Sequence, residues 1–311
     1  MSSSIQAPSQ AKPSANAHLS HDGAVQLGSL GALLLLALMW GLSIPVTKLG
    51  LESLPPLMLT ALRFAIAVPL MMLFARGRQS LPRSALPKVA GLGVLGIGIG
   101  QVAQTFGVAG TSASVGTILS ATIPMFIVVF AALRLKQQVS GLQVVGLLTA
   151  FAGIALIALG KGSQAGPATS WAGIAWILLS AVAIAFYYVW SVELTSAYGT
   201  ATVSAWSTLF GFLVLLPWAA WEMSQTSAHW TLQGAAAAAY LGIVVTVAGL
   251  YLWLNLLRAV PARIAAAVQY LQPIVGISAS SLMFADQLAA TFLFGVGLVL
   301  CGLALTVRTR R

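Results

Sequence analysis

The chain has 311 residues, 59% hydrophobic and 6% charged, against roughly a quarter charged in a soluble domain, and that balance excludes an ordinary soluble globular protein. Its 15 Lys plus Arg against 5 Asp plus Glu give a net charge of +10, which on so apolar a background reads as membrane topology rather than as affinity for nucleic acid. A single cysteine, Cys301, excludes an intramolecular disulfide or a cysteine cluster, and with three His, two of them (His18 and His21) in a polar tail, neither a metal nor a cofactor is expected.

Residues 1–27 are rich in Ser, Ala, Gln and Pro without an apolar run, and read as a flexible tail with no cleavable signal peptide. A helix crossing about 30 Å of hydrocarbon needs about 20 apolar residues. At that length ten spans are predicted, near 28–48, 55–75, 89–108, 112–133, 140–160, 171–192, 200–221, 233–257, 262–284 and 288–307. The connections leave no room for a soluble domain.

The basic residues sort by side. On one side fall Lys12, Arg76, Arg78, Arg83, Lys88, Arg134, Lys136, Arg258, Arg263, Arg308, Arg310 and Arg311, twelve of the fifteen. The other side has Lys48 and Lys161 with Glu52, Glu222 and Asp286, and Arg63 lies inside the second span. Counting Asp22 and Glu193 with the basic side, the net charges are +10 there, −1 opposite and +1 at membrane depth. The expected location is a bacterial inner membrane, crossed many times, with both termini cytoplasmic. Trp218, Trp221 and Trp230 then fall at the outer interface, where aromatic belts anchor helices.

An internal repeat runs through the third to fifth spans at an offset of 149 residues. Gly93 and Gly100 fall on Gly242 and Gly249, Pro124 on Pro273, Gln138 on Gln287, and Gly146 and Gly153 on Gly295 and Gly302; Trp40 meets Trp190 at an offset of 150. Residues 28–160 and 161–311 thus read as two five-span units. Five is odd, so the second unit enters the membrane in the opposite sense. The expected fold class is an all-α integral membrane protein, ten transmembrane helices as two inverted five-helix repeats around a central cavity, the plan of alternating-access transporters.

Ionisable groups at membrane depth are costly and usually functional. Arg63 is the one well inside a span; it either binds a substrate carboxylate or holds helix ends together through backbone carbonyls. No Asp, Glu or His chain of a proton pump is present in the spans, and Glu193 near a helix end is a reserve candidate. Polar stripes at helical spacing are better placed around a cavity than against lipid. They comprise Thr117, Ser120 and Pro124 in the fourth span and Gln269, Gln272, Gly276 and Ser280 in the ninth. Gln101 and Gln104 lie in the third, Trp176, Ser180, Ala183 and Tyr187 in the sixth, Trp40, Ser43 and Thr47 around Pro45 in the first, and Tyr251 and Asn255 in the eighth. Pro45, Pro124 and Pro273 are candidate gating points, since each leaves a carbonyl without its intrahelical donor. Gly96 and Gly100 have the spacing that lets helix backbones approach closely.

The run from Trp40 to Phe64, WGLSIPVTKLGLESLPPLMLTALRF, with Thr111-Ser112-Ala113-Ser114 and Pro124 after it, resembles the drug/metabolite transporter superfamily in its EamA-type ten-helix branch. The resemblance covers nearly the whole chain after residue 28 and implies a carrier whose central cavity is lined by spans 1, 3, 4, 6, 8 and 9. The chain departs from the family pattern at Gln137, where an acidic residue is usual, while Asp286 keeps the counterpart. Within the branch, Trp40, Tyr187, Trp190 and Trp253 are similar to the cavity aromatics of bacterial aromatic amino-acid exporters. The resemblance implies export of amino acids, aromatic ones included, by a monomer or weak homo-oligomer in the lipid bilayer. Export of cationic drugs or other small metabolites is the alternative. An enzyme is not expected, because the spans hold no nucleophile with a base and no metal set.

Overall fold

The computed structural model describes residues 31–136, 138–159, 169–226, 229–259, 267–286 and 288–307. The helices are α1 (Gly31–Gly50), α2 (Pro56–Ala75), α3 (Leu86–Ala109), α4 (Ala113–Leu135), α5 (Gly141–Leu159), α6 (Trp171–Trp190) and α7 (Thr200–Gln225). They continue with α8, built of Leu232–Ala239, Tyr240–Ala248 and Gly249–Ala259 in series, α9 (Ala267–Phe284) and α10 (Ala290–Val307). Among the described residues, eight helices, α1 to α8, are long and apolar enough to cross a membrane, and α9 and α10 are two further apolar helices. No strand occurs among the described residues.

Several helices begin where local chemistry deals with the orphan N–H groups of the first turn. The side chains of Ser112, Ser170 and Thr231 accept from the N–H groups of Val115, Gly173 and Gly234, and Pro56, which has no N–H to leave unsatisfied, opens α2. The helices agree with the predicted spans to within a few residues. A short helix over Val192–Tyr198 between α6 and α7, which hydropathy did not signal, carries Glu193. Glu193 pairs with Arg134 at 3.0 Å, both side chains exposed at 70% and 42%. It is an exposed ion pair between the end of α4 and this short helix.

The proline expectations divide. α1 is interrupted at Leu42, three residues before Pro45, and α4 at Ala121 and Thr122, so that Pro124 lies in the first turn of the resumed helix. α9, in contrast, is unbroken through Pro273, as α2 is through Pro69 and α7 through Pro217. One missing hydrogen bond is absorbed where neighbouring helices hold both flanks.

Three structural features recur at the 149-residue offset. A π-helical stretch over Gly93–Gly98 in α3 maps onto 242–247, inside the π-helical stretch Tyr240–Ala248 of α8. α4 and α9 are both followed by a non-glycine residue in the left-handed region, Lys136 and Ala285, each at φ 52°. The third is the contact between α5 and α10. A Cβ at Gly153 would lie 2.7 Å from the Gly295 carbonyl oxygen, and one at Gly302 would lie 2.5 Å from the Gly146 carbonyl oxygen. Glycine is required at both crossings because backbone meets backbone. Since Gly146 and Gly153 map onto Gly295 and Gly302, exchanging the halves turns one crossing into the other.

The apolar core against this helix pair includes Ile118, Leu119 and Met125 of α4, Ile157 of α5, Ile177 of α6 and Phe292 of α10. α1, α4 and α9 meet on the other flank. A Cβ at Gly41 would lie 2.8 Å from Val275 Cβ, and one at Gly276 would lie 2.7 Å from the Gly41 carbonyl oxygen. Gly276 also faces the Thr117 side chain, and Ser280 donates to the Gly276 carbonyl at 2.7 Å. Thr117 and Gly276 of the polar stripes therefore form a helix–helix contact, while the hydroxyls of Thr117 and Ser280 each donate to a carbonyl of their own helix.

Candidate functional site

Arg63 is the eighth residue of α2, about 10 Å along the helix from its start. Its half-buried guanidinium donates from Nε to Thr246 Oγ1 of α8 at 2.9 Å and from Nη1 to Gln101 Oε1 of α3 at 2.7 Å. Thr246 can accept because its own proton is committed to the Leu241 carbonyl at 2.8 Å, five residues back along the π-helical stretch. The backbone carbonyl of Gln101 accepts from Thr105 Oγ1 at 2.9 Å, one turn on, and Thr105 shares a hydrogen bond of 2.9 Å with Thr60 of α2. Both partners of Arg63 are neutral. Among the described residues the only ion pair is Arg134 with Glu193, so the guanidinium has no counter-charge there.

The aromatic part of the site adjoins this node through consecutive residues of α8. Trp40 Nε1 donates to the Val245 carbonyl at 3.1 Å, and the next residue is Thr246, which holds Arg63. The Trp40 and Trp253 ring centroids are 5.8 Å apart and tilted by 48°, within the range of favourable aromatic pairing. Gly249 admits the indole, whose Nε1 occupies the place a Cβ would take. Ser43 Oγ donates to the Trp40 carbonyl at 2.6 Å, next to the interruption at Leu42. Gln104, half-buried on the helix that carries Gln101, lies one turn further along.

Other expected site residues lie apart from this group. Tyr187 is buried against Gly96 of α3 and donates to Ser204 Oγ of α7 at 3.4 Å. Trp190 stacks on Phe186 at 4.5 Å and meets Phe130 of α4 edge-on at 5.5 Å, away from the Trp40 and Trp253 pair. Ser120 is buried, and its hydroxyl, like that of Ser180, has no partner among the described residues. Asn255 is exposed. The side chain of Gln269 lies outside the described residues, as do Gln137 and Lys161.

Two residues of the expected cavity-facing stripes are exposed and stack on aromatic neighbours. Trp176 is exposed and stacks on Phe106 at 5.6 Å. It lines an apolar groove of 360 Å³ with Leu57, Val102, Leu215 and Trp218. Tyr251 is likewise exposed, stacked on Phe74 at 6.0 Å beside Arg78. Helical spacing shows which residues share a face, but the neighbour that face meets is set by tertiary arrangement. Trp218, Trp221 and Trp230 are exposed, as an interfacial belt requires.

The end of the bundle that holds Lys48 is tied by charges at helix ends. Lys48 Nζ donates to the carbonyls of Val108, Ala109 and Thr111 at 2.9, 3.3 and 2.6 Å, at and just past the C-terminus of α3, where the helix dipole favours a cation. Asp286 after α9 is buried, and its Oδ2 accepts from the N–H of Ser114 in the first turn of α4, where the dipole favours an anion. Glu222 Oε2 does the same for Met58 N–H at the start of α2, at 2.9 Å. These ties span the whole chain and have no local sequence signal beyond an acidic residue near a helix end.

Comparison with known proteins gives the family. A transporter of Archaeoglobus fulgidus, described as uncharacterized, is 28% identical over 271 residues, covering 87% of this chain and 95% of that protein. The Escherichia coli K12 protein YedA, described as an uncharacterized inner membrane transporter, is 27% identical over 250 residues, 79% of this chain and 80% of that one. The Bacillus subtilis transporter YdfC, also uncharacterized, is 30% identical over 214 residues, 67% of this chain and 68% of its own. A solved crystal structure superimposes with a TM-score of 0.62 at 18% identity over 90% of this chain and 96% of that one, which shows the fold alone. These relatives are transporters and not enzymes. The EamA-like transporter family matches twice, over residues 27–159 and again over 171–308. The chain is a multi-pass membrane protein that belongs to the EamA-like transporter family.

Proposed function

We propose that this chain exports amino acids of broad range, aromatic ones among them, from the bacterial cytoplasm by alternating access between two inverted five-helix repeats. The observation that carries the reading is the juxtaposition on α8, where Val245 holds Trp40 and Thr246 holds Arg63. An apolar aromatic surface and a polar group that reads an ionised head thereby lie one residue apart. Trp40 and Trp253 accept the apolar side chain, and amides at Gln101, Gln104 and Gln269 with the hydroxyls of Ser43 and Ser120 meet the polar end. The narrower resemblance to the aromatic amino-acid exporter YddG rests on Trp40, Tyr187, Trp190 and Trp253. The cation without counter-charge at Arg63 counts against cationic drugs as the principal cargo.

The double family match and the π-helical, left-handed and glycine features 149 residues apart support the inverted repeat. With ten spans, the charge distribution turns the Lys48 end outward and both termini to the cytoplasm. Lys48, Asp286 and the Gly41 to Gly276 contact then close the outer side. The repeats rock about the interruptions near Pro45 and Pro124, with Pro273 the counterpart of Pro124. The test is counterflow of labelled phenylalanine, methionine and threonine into liposomes. Saturable exchange is expected, and the absence of flux for every amino acid overturns the substrate class.

A further inference from the structure

We infer that Arg63 and Gln101 form a receptor for one carboxylate, and that the cargo is recognised as an apolar organic monoanion whose ammonium group is not read. The inference rests on the transport reading above and deepens it.

The argument is an inventory of donors and acceptors. A guanidinium has five N–H donors and no acceptor, and a glutamine amide has two donors and one acceptor oxygen. Arg63 directs Nε at Thr246 and one Nη1 proton at Gln101. Gln101 Oε1 accepts from Arg63, which fixes the orientation of its amide and leaves Nε2 facing away with both protons. The Thr246 proton is committed to Leu241. No partner among the described residues takes the second Nη1 proton, the two on Nη2 or the two on Gln101 Nε2. The node thus presents mainly N–H donors to a ligand, from two side chains joined at 2.7 Å, with Arg63 held further by Thr246 and the backbone of Gln101 held by Thr105.

Such a group selects an anion, and the charge selects its valence. A guanidinium matches a carboxylate with two parallel hydrogen bonds, and a monoanion neutralises the single cation at membrane depth. A phosphate dianion would leave a net negative charge where charge is costly. The Trp40 and Trp253 pair supplies the apolar surface next to it. No carboxylate forms an ion pair at this node among the described residues, so an ammonium group finds no counter-charge there.

The test is competition on the purified, reconstituted full chain with labelled phenylalanine and labelled 3-phenylpropionate, which lacks the amine. The competitors are phenethylamine, which lacks the carboxylate, and phenyl phosphate. Phenylalanine and 3-phenylpropionate should displace one another at similar concentrations, with the other two at least ~30-fold weaker, the scale of an unpaired buried charge. Two variants separate binding from folding. Arg63→Gln should weaken both acids by a similar factor. Gln101→Glu gives the guanidinium an internal counter-charge, so the protein should unfold at no lower temperature yet lose both acids. If phenethylamine or phenyl phosphate displaces as well as phenylalanine, or if Gln101→Glu binds the acids like the original, the inference is overturned while amino-acid export stands. If 3-phenylpropionate binds and no amino acid does, the inference stands and the amino-acid reading falls. Failure of every acid to bind overturns both.

Discussion

The carboxylate of Asp286 accepts a hydrogen bond of 3.0 Å from the backbone N–H of Ser114, 172 residues away in the chain. With Lys48 on the carbonyls at the end of α3, it places a cation and an anion on the two helix ends that flank the turn at Gly110 to Ser112. Each charge at a helix end contributes about 0.3–2 kcal/mol. Asp286→Ala should therefore shift the balance between closed and open forms of the Lys48 end by about 2- to 30-fold. The measurement is labelling by a membrane-impermeant maleimide of a cysteine placed at Ser43 in a Cys301→Ala background, applied from outside. Faster labelling is expected, and an unchanged rate would show that the carboxylate does not hold that end shut.

Trp40 carries two contacts, one to the Val245 carbonyl and one to the ring of Trp253. Trp40→Ala should reduce affinity for phenylalanine about 3- to 10-fold, the scale of an aromatic pair, with little change for threonine. Equal losses for both, read from half-saturation in counterflow, would assign Trp40 a structural role. Tyr187→Phe removes only a long hydrogen bond of 3.4 Å and should shift unfolding by less than about 1 kcal/mol, with transport retained.

The α5 and α10 crossing has no space for a side chain. Gly153→Leu would drive its first carbon to within 2.7 Å of a carbonyl oxygen and should destabilise by about 1–3 kcal/mol or prevent folding. The detergent-solubilised variant should unfold at lower temperature and yield less monodisperse protein. Gly141→Ala, where nothing lies within 4 Å of the added carbon, is the control and should match the original.

Arg134 and Glu193 pair in the exposed rim. Exposed pairs are worth about 0–1 kcal/mol, so Arg134→Ala should leave the unfolding temperature almost unchanged at any salt concentration. A large drop would mean that the pair braces the end of α4 against the short helix Val192–Tyr198.

Span positions were legible because about 20 apolar residues in a row have few other uses. Arg63 stood out as the one ionisable group well inside a span. Its acceptor Thr246, 183 residues on, did not, since a threonine in an apolar helix has the same appearance whether or not it serves an arginine. The π-helical stretches were hidden for a similar reason: a wide turn changes hydrogen-bond spacing and leaves composition alone. Periodicity places Trp176 and Tyr251 on a face of their helices without saying what covers it. The prolines are legible as missing donors, but among the described residues the helix breaks near Pro45 and Pro124 and runs on through Pro273.

The glycine crossing of α5 and α10 has a mechanical meaning. On the proposed inverted repeat, two crossings that exchange when the halves exchange would lie about the pseudo-twofold line, and points near an axis travel least when bodies on either side counter-rotate. In a rocking carrier this pair acts as the bearing. With backbone meeting backbone at both crossings, there is little room for one helix to shift against the other at those points.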